Sequence, residues 1–256
     1  MPTVARLNVT PVKSTMLHHP ERIRLETHGA AGNRDFLFVD EHGRRFSGSK
    51  KVPLLQIRAK YEDERDRIEL RLPDGVVVAG HAAAAGEALV VDFYGRPVPV
   101  HVVEGGFTEA LSRFAGSPVR LARVDEPGAG TDVRPVTLMS LASVEELSRQ
   151  GGREEPVDSR RFRMLVEIDG CRPHEEDTWT GRHVRIGEAV VLVGDQVPRC
   201  VVTTLDPDTG VRDFPTLSVI KKYRGVTGDD ELPFGVYGDV VRPGVVRVGD
   251  SVDVRD

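Results

Sequence analysis

The sequence is poor in cysteine, in excess basic charge and in long apolar runs. Its 256 residues include two cysteines, Cys171 and Cys200, which provide neither a disulfide framework nor a metal-binding pair at CxxC spacing. The formal net charge of −5 argues against a general nucleic-acid-binding protein, because phosphate binding needs a basic surface. The low cysteine content favours a reducing compartment.

Signals for a membrane span or for secretion are also missing. The most apolar window, residues 76–91, is interrupted by His81 and Glu87 and is too broken to cross a membrane. The N-terminus has no basic stretch followed by an apolar core, so we expect no secretory signal. The expected protein is cytoplasmic, with no nucleic-acid partner and no membrane partner.

Apolar residues that alternate with polar ones predict a mainly β chain with a few helices. Short turns join the segments without a regular strand–helix rhythm, which favours barrels over a doubly wound sheet. The predicted strands are 4–9, 21–27, 36–40, 44–47, 54–61, 68–72, 76–79, 97–103, 119–123, 162–168, 183–186, 189–193 and 199–205, and a closing hairpin covers 243–254.

Helices are predicted at residues 108–115, 144–150 and 215–223. Ser143 and Glu146 have capping-box spacing at the start of the second helix, and two glycines follow its last turn. The loop 126–131, rich in glycine and proline, is the expected domain boundary. We therefore predict two modules, residues 1–122 and 131–256.

Residues 198–210 read Pro-Arg-Cys-Val-Val-Thr-Thr-Leu-Asp-Pro-Asp-Thr-Gly and place a cysteine where a predicted strand begins. β-branched residues follow Cys200, and turn-forming residues follow them. The neighbouring cation of Arg199 favours the thiolate, the form that attacks electrophiles or binds a soft metal. Alternatively, Cys200 is a small buried apolar residue, as many cysteines are.

Arginines crowd residues 160–163. In a strand, Arg161 and Arg163 would point to the same face, and two neighbouring guanidinium groups suit the binding of a phosphate. The alternative is a solvated run of arginines at the start of a strand.

The chain resembles the MOSC family, in which the cysteine of a segment like residues 198–210 carries the chemistry. The N-terminal segments Pro11-Val12-Lys13-Ser14 and Asn33-Arg34 resemble the β-barrel domain that precedes MOSC in the amidoxime-reducing members. The resemblance covers nearly the whole chain. Further matches occur in the same order as in those members: Glu175-Glu176-Asp177-Thr178-Trp179, Phe234-Gly235-Val236-Tyr237 and Val248-Gly249-Asp250.

The resemblance implies an N-terminal β-barrel domain followed by a MOSC β-barrel domain. It implies a molybdenum cofactor (molybdopterin) and the reduction of N-hydroxylated small molecules such as amidoximes and hydroxylamines. The electron donor would be a separate protein: a ferredoxin, a flavin reductase or a b-type cytochrome. Pyridoxal phosphate binding is a further property associated with the family, although this chain lacks the large pyridoxal-dependent module and a lysine motif for it.

The resemblance also implies roles for individual residues. Cys200 would be the protein ligand to molybdenum and, with Asp132, catalytic. One position and one segment depart from the amidoxime-reducing members: these have asparagine at the position of Arg163 and tend to have Thr-x-Arg-Gln in place of Ser47-Gly48-Ser49-Lys50. Cofactor contacts are implied for Lys13, Ser14, Arg34, Ser140, Arg161, Arg163, Arg199, Thr204 and Tyr237.

Simpler interpretations exist for several of these residues. Asp132 follows a glycine-rich loop and suits a turn, and Tyr237 suits a half-buried position in a β protein. Cys171 follows Asp169-Gly170 in a predicted loop and is interpreted as structural. Two other functions stay open: a persulfide carrier of the sulfurase type, and a cofactor-binding module without turnover.

Overall fold

The computed structural model describes residues 1–46, 52–228 and 230–255, and the chain forms two compact units. The larger unit contains Met1–Val9, His18–Ala31 and Val133–Asp256, and the smaller unit contains Thr10–Leu17 and Gly32–Asp132. Each unit is therefore built from segments that are not contiguous in the sequence. The modules expected from the sequence stay a prediction.

Strands dominate the regular structure, and the expected mainly β fold with a few helices is confirmed. The helices are α1 (Phe107–Ala115), α2 (Leu141–Gln150) and α3 (Thr216–Arg224). No helix among the described residues is long and apolar enough to cross a membrane. The strands are β1 (Thr3–Leu7), β2 (Arg22–Glu26), β3 (Gly29–Ala30), β4 (Phe36–Val39), β5 (Arg45–Phe46), β6 (Arg58–Glu62), β7 (Arg67–Arg71), β8 (Val77–His81), β9 (Ala88–Phe93), β10 (Arg96–Val102), β11 (Arg120–Val124), β12 (Val136–Ser140), β13 (Val166–Asp169), β14 (His183–Ile186), β15 (Ala189–Pro198), β16 (Pro233–Arg242), β17 (Gly244–Arg247) and β18 (Val252–Arg255).

A seven-stranded sheet organises the larger unit and curves into a nearly closed barrel. Its strand order is β1-β13-β12-β16-β15-β14-β18, and neighbouring strands are antiparallel except for the parallel pair β12 and β13. A second sheet of this unit has the order β17-β2-β3. Many apolar side chains of the large sheet pack into one core, where removal from water stabilises the fold. This core includes Leu7, Leu138, Val166, Trp179 and Val236.

The smaller unit contains a five-stranded half-barrel, β5-β4-β11-β10-β9, and a three-stranded sheet, β6-β7-β8. Strand β4 is buried at all four positions because both of its faces are covered. Phe36 and Phe38 pack into one apolar cluster, and Leu37 and Val39 pack into another. This division follows from the alternation of side chains along a strand.

Two local predictions outside the candidate site are wrong. Ser143 does not cap a helix, since α2 begins at Leu141 and the Ser143 hydroxyl donates instead to Glu176 Oε1 at 2.8 Å. The closing hairpin at 243–254 does not form, because β17 pairs with β2 and β18 pairs with β14. Four strands, β3, β9, β12 and β16, were not predicted from the sequence.

Candidate functional site

Cys200 is exposed and lies directly before a short 3-10 helix, Val201–Thr204. The strand predicted for 199–205 is therefore wrong. The Thr203 amide and hydroxyl donate to the Cys200 carbonyl at 3.1 and 2.9 Å, and the Thr204 hydroxyl donates to the Val201 carbonyl at 2.7 Å. Threonine side chains that bond to nearby carbonyls favour a turn over a strand. We call residues 200–204 the cysteine turn. Because Cys200 is exposed, the interpretation of this cysteine as a buried apolar residue is excluded.

Arg161 contacts the cysteine turn from the interior of the larger unit, with a side chain that is 1% exposed. Its Nη1 donates to the Thr203 carbonyl at 3.2 Å, and Nη1 and Nη2 donate to the two carboxylate oxygens of Asp213 at 3.0 and 2.9 Å. Its Nε donates to the Asp158 carbonyl at 3.1 Å. The guanidinium group therefore has four contacts with acceptors of its own chain, and the predicted contact of Arg161 with a cofactor stays a prediction.

Arg161 and Arg163 do not lie on a common strand. Ser159–Phe162 is a 3-10 helix, and Arg163 ends it in the left-handed region with φ of 53°. Arg160 points to a different set of acceptors, with Nε 2.8 Å from Asp158 Oδ2 and Nη2 2.6 Å from Asp208 Oδ2. The strand predicted to begin at residue 162 begins instead at Val166, so the argument for paired guanidinium groups on one strand face is wrong.

Arg199 anchors the residue that precedes Cys200. Its Nε donates to the Phe234 carbonyl at 2.8 Å, and its Nη1 donates to the Phe162 carbonyl at 3.0 Å. The Arg199 amide donates to the Leu232 carbonyl at 2.9 Å. These bonds direct the guanidinium group to backbone carbonyls of two neighbouring segments, so the side chain holds the start of the cysteine turn in place.

Three other residues predicted to contact a cofactor also belong to the larger unit. Ser140 is fully buried before α2, and its amide donates to Glu176 Oε1 at 3.2 Å. Tyr237 is buried in β16 within an apolar cluster that includes Phe234. Thr204 is half-buried in the cysteine turn. Their contacts with a cofactor stay predictions.

In the smaller unit, three of the predicted residues meet. Lys13 Nζ lies 2.8 Å from Asp132 Oδ1, and Arg34 Nη1 lies 3.5 Å from Asp132 Oδ2. Arg45, which was not predicted, places Nη1 3.3 Å from Asp132 Oδ1. The Phe93 ring lies 5.4 Å from Lys13 Nζ and 5.0 Å from Arg45 Cζ, distances that suit cation–π attraction. We call Lys13, Arg34, Arg45 and Asp132 the cation cluster, because three cations surround one carboxylate.

Backbone geometry fixes the loops that provide this cluster. Ser14 and Arg34 have positive φ values of 73° and 63°, a region that non-glycine residues adopt only when the surroundings hold them there. The Lys13 amide donates to the Phe36 carbonyl at 2.7 Å, and the Arg34 amide donates to the Thr10 carbonyl at 2.7 Å. Both loops are thus tied to the rest of the smaller unit, with Ser14 half-buried beside Lys13.

The environment of the cluster shifts two pKa values. Burial lowers the pKa of Lys13 to about 7; the charge of Asp132 opposes this effect, and the charge of Arg34 adds to it. Burial alone would raise the pKa of Asp132, but the charges of Lys13 and Arg34 outweigh burial and lower that pKa to about 2. The Asp132 carboxylate is therefore ionised at neutral pH, and the Lys13 ammonium group titrates near neutral pH.

Cys171 has a different environment from Cys200. It is half-buried and packs against the core of the larger unit. Burial raises the pKa of the Cys171 thiol to about 12, and the charges of Glu175 and Glu176 contribute to the rise. A thiol that stays protonated is a poor nucleophile and a poor metal ligand, which agrees with a structural role.

Sequence reasoning missed Asp213 and Arg45. Asp213 is far from Arg161 in the sequence and has no spacing that connects the two. Arg45 follows Arg44 near a predicted turn, and nothing in its neighbourhood distinguishes it from an ordinary surface cation. The departure from the amidoxime-reducing members, Ser47-Gly48-Ser49-Lys50, lies outside the described residues.

Two family models match the chain. The MOSC domain matches residues 125–253, and the MOSC N-terminal beta barrel domain matches residues 1–93. The two matches together include Cys200 and all four residues of the cation cluster, so each of these features lies in a region that a family model describes.

Named relatives agree with these matches. The chain is 26% identical to mitochondrial amidoxime reducing component 2 of Bos taurus, over 98% of this chain and 82% of that protein. It is 28% identical to mitochondrial amidoxime-reducing component 1 of Danio rerio, over 97% of this chain and 83% of that protein. The crystal structure of the YuaD protein from Bacillus subtilis matches with a TM-score of 0.45 and 14% identity, over 99% of this chain and 96% of that chain.

Proposed function

The chain belongs to the MOSC family, and from this premise we propose that it is a molybdenum-cofactor-dependent oxidoreductase that reduces N-hydroxylated compounds such as amidoximes and hydroxylamines. The observation that carries the proposal is the exposed Cys200 on a turn anchored by Arg161 and Arg199. The names of the two relatives that match nearly the whole chain, both amidoxime-reducing components, support the reaction class.

The residues present suit such a cofactor in two respects. A cysteine thiolate is a soft ligand that matches molybdenum, and the exposed Cys200 offers its Sγ without any change in the core. The cation cluster offers a local positive excess to an anionic group, although the protein as a whole is acidic.

We assign the cation cluster to the anionic end of the cofactor. Lys13 and Arg34 would donate charge-assisted hydrogen bonds to the phosphate, each contributing about 1.5–3 kcal/mol, and the Ser14 hydroxyl would add a neutral donor. Arg45 joins this assignment because it shares the Asp132 carboxylate with Lys13. Asp132 would orient the Lys13 ammonium group and favour its protonated form against the effect of burial.

In the proposed reaction the N–O bond of the substrate breaks, two electrons and two protons are taken up, and water leaves. The cofactor, when bound, supplies the two-electron redox chemistry. The electrons come from a separate protein of the ferredoxin, flavin reductase or b-type cytochrome class. This chain holds the Cys200 thiolate at a fixed position and binds the anionic part of the cofactor.

The first test compares two cysteine variants. Cys200→Ser should fold normally and lose benzamidoxime reduction by about 100-fold or more, because a serine hydroxyl is a poor ligand for a metal that needs a soft thiolate. Cys171→Ser is the matched control and should keep both fold and activity. Thermal midpoint, molybdenum content and turnover with an artificial electron donor would be measured in each. Full turnover in well-folded Cys200→Ser would end the proposal.

The same measurements separate the two other functions that suit an exposed cysteine. A persulfide carrier does not need stoichiometric molybdenum, so absence of the metal in wild-type protein from a host that makes the cofactor would favour the carrier. Bound molybdenum without turnover would favour a cofactor-binding module.

A further inference from the structure

We infer that Arg161 is a positioning residue for Cys200: its buried guanidinium group forms an ion pair with Asp213 that holds the cysteine turn in the conformation that exposes the cysteine. The consequence for catalysis rests on the proposed function, in which Cys200 is the metal ligand. The inference about the turn itself concerns only contacts within the larger unit and is tested on protein without cofactor.

Thr203 links the ion pair to Cys200. Its amide and hydroxyl donate to the Cys200 carbonyl at 3.1 and 2.9 Å. Its own carbonyl accepts from Arg161 Nη1 at 3.2 Å and from the Thr216 hydroxyl at 2.6 Å. Arg161 and Thr216 thus hold the Thr203 carbonyl in place, and Thr203 in turn bonds to Cys200.

Asp213 determines whether Arg161 stays in place. The Arg161 side chain is 1% exposed, and a guanidinium group cannot lose its proton to relieve burial. The carboxylate of Asp213 accepts both Nη1 and Nη2, which fixes the plane of the group and aims Nη1 at Thr203. The side chain of Asp213 is itself 32% exposed, so the pair extends from the interior to the surface.

The neighbouring arginine provides a matched control. Arg160 forms ion pairs with Asp158 and Asp208 at 2.5 and 2.6 Å, and so connects nearly the same chain segments as Arg161. Among the bonds described for Arg160, none reaches the cysteine turn. A general loss of loop stability would follow from disruption of either pair, whereas an effect on the cysteine turn would follow only from disruption of the Arg161–Asp213 pair.

The test uses full-length protein without cofactor in a Cys171→Ser background, so that Cys200 is the thiol that reacts with iodoacetamide. The variants are Thr216→Val, which removes one donor to Thr203, and Arg161→Met combined with Asp213→Leu, which removes the whole ion pair. Asp208→Asn is the control. Amide hydrogen exchange of Thr203 and Leu205 reports on the turn, since both amides donate within it.

We expect exchange at these two amides to become about 10-fold faster in Thr216→Val and about 100-fold faster in the double variant, with the Cys200 alkylation rate changed in both. The double variant should keep a thermal midpoint near that of wild type, because removing both members of the pair leaves no buried unpaired charge. Arg153, whose Nη1 lies 3.9 Å from Asp213 Oδ2, is 46% exposed and stays hydrated without this partner. If the ion pair had a purely structural role, its removal would lower the thermal midpoint and accelerate amide exchange in the cysteine turn together. In loaded enzyme, kcat should fall while the KM for benzamidoxime stays constant.

Unchanged exchange and alkylation in the double variant would overturn the inference, and a lower molybdenum content in that variant would then assign Arg161 to the cofactor instead. Equal acceleration in Asp208→Asn would also overturn it, because the effect would then be a general loosening of the loop. Failure of the proposed function has a separate signature, namely wild-type protein without molybdenum or turnover, and leaves the exchange result intact.

Discussion

Replacing Lys13 with methionine should remove a pH dependence that wild-type stability carries between pH 9 and pH 6. Burial lowers the pKa of Lys13 to about 7 in the folded protein, whereas a lysine in the unfolded chain has a pKa of about 10.4. Between these values the unfolded chain binds a proton that the folded protein does not. Stability therefore rises with pH in this range and falls as the pH drops toward 7.

The size of the effect follows from the two pKa values. The slope is at most about 1.4 kcal/mol per pH unit, and it levels off below pH 7, where both states bind the proton. Between pH 9 and pH 6 the wild-type protein should lose about 2.5 kcal/mol relative to Lys13→Met. The Lys13 side chain is 10% exposed, so solvent screening reduces this value little.

The assay must report on the smaller unit, because the single tryptophan, Trp179, lies in the larger one. Hydrogen exchange in peptides that cover Phe36–Val39 and Arg120–Val124, measured across urea series at pH 6, 7, 8 and 9, meets this need. Lys60→Met, which removes an exposed lysine of the same unit, should follow the wild-type profile. Parallel pH profiles for wild type and Lys13→Met, or an NMR titration that gives Lys13 an ordinary pKa, would refute the reasoning.

Two further predictions concern Glu176 and Gly130. Burial raises the pKa of Glu176 to about 6, so wild-type stability should rise by about 1–2 kcal/mol as the pH falls from 7 to 5, and Glu176→Gln should abolish this rise in urea unfolding followed by Trp179 fluorescence. A Cβ at Gly130 would lie 1.9 Å from the Arg34 carbonyl oxygen, so Gly130→Ala should lower the thermal midpoint by about 5 °C or more. Gly228→Ala, where a Cβ meets no atom within 4 Å, should leave the midpoint unchanged.

Local sequence patterns predicted the hairpins better than the long-range pairs. Strands β7 and β8 pair across the turn that Pro73-Asp74-Gly75 predicts, because the residues that form this turn are neighbours in the sequence. The strand β17 was recognised, but its partner was not, since alternation identifies the buried face of a strand and not the strand beside it.

The residues of the candidate site were likewise predicted only in part. Lys13, Arg34 and Asp132 were named through the family resemblance, and the structure brings them together. Asp213 and Arg45 were not predicted as site residues, because an ion pair between distant segments depends on the fold and has no sequence pattern of its own. The conformation around Cys200 was also missed: β-branched residues favour strands on average, but here two threonine hydroxyls bond to carbonyls three residues earlier.

The interleaving of the two units along the chain affects the order of events during synthesis. Strand β1 pairs with β13 through Thr3 and Asp169, and β2 pairs with β17 through Arg22 and Arg247. Both early strands leave the ribosome long before their partners, whereas every segment of the smaller unit has been synthesised once Asp132 has been added. The nascent protein therefore passes through an interval with one unit complete and two strands whose edges lack their partners, and this is when mispairing with another chain has its best opportunity.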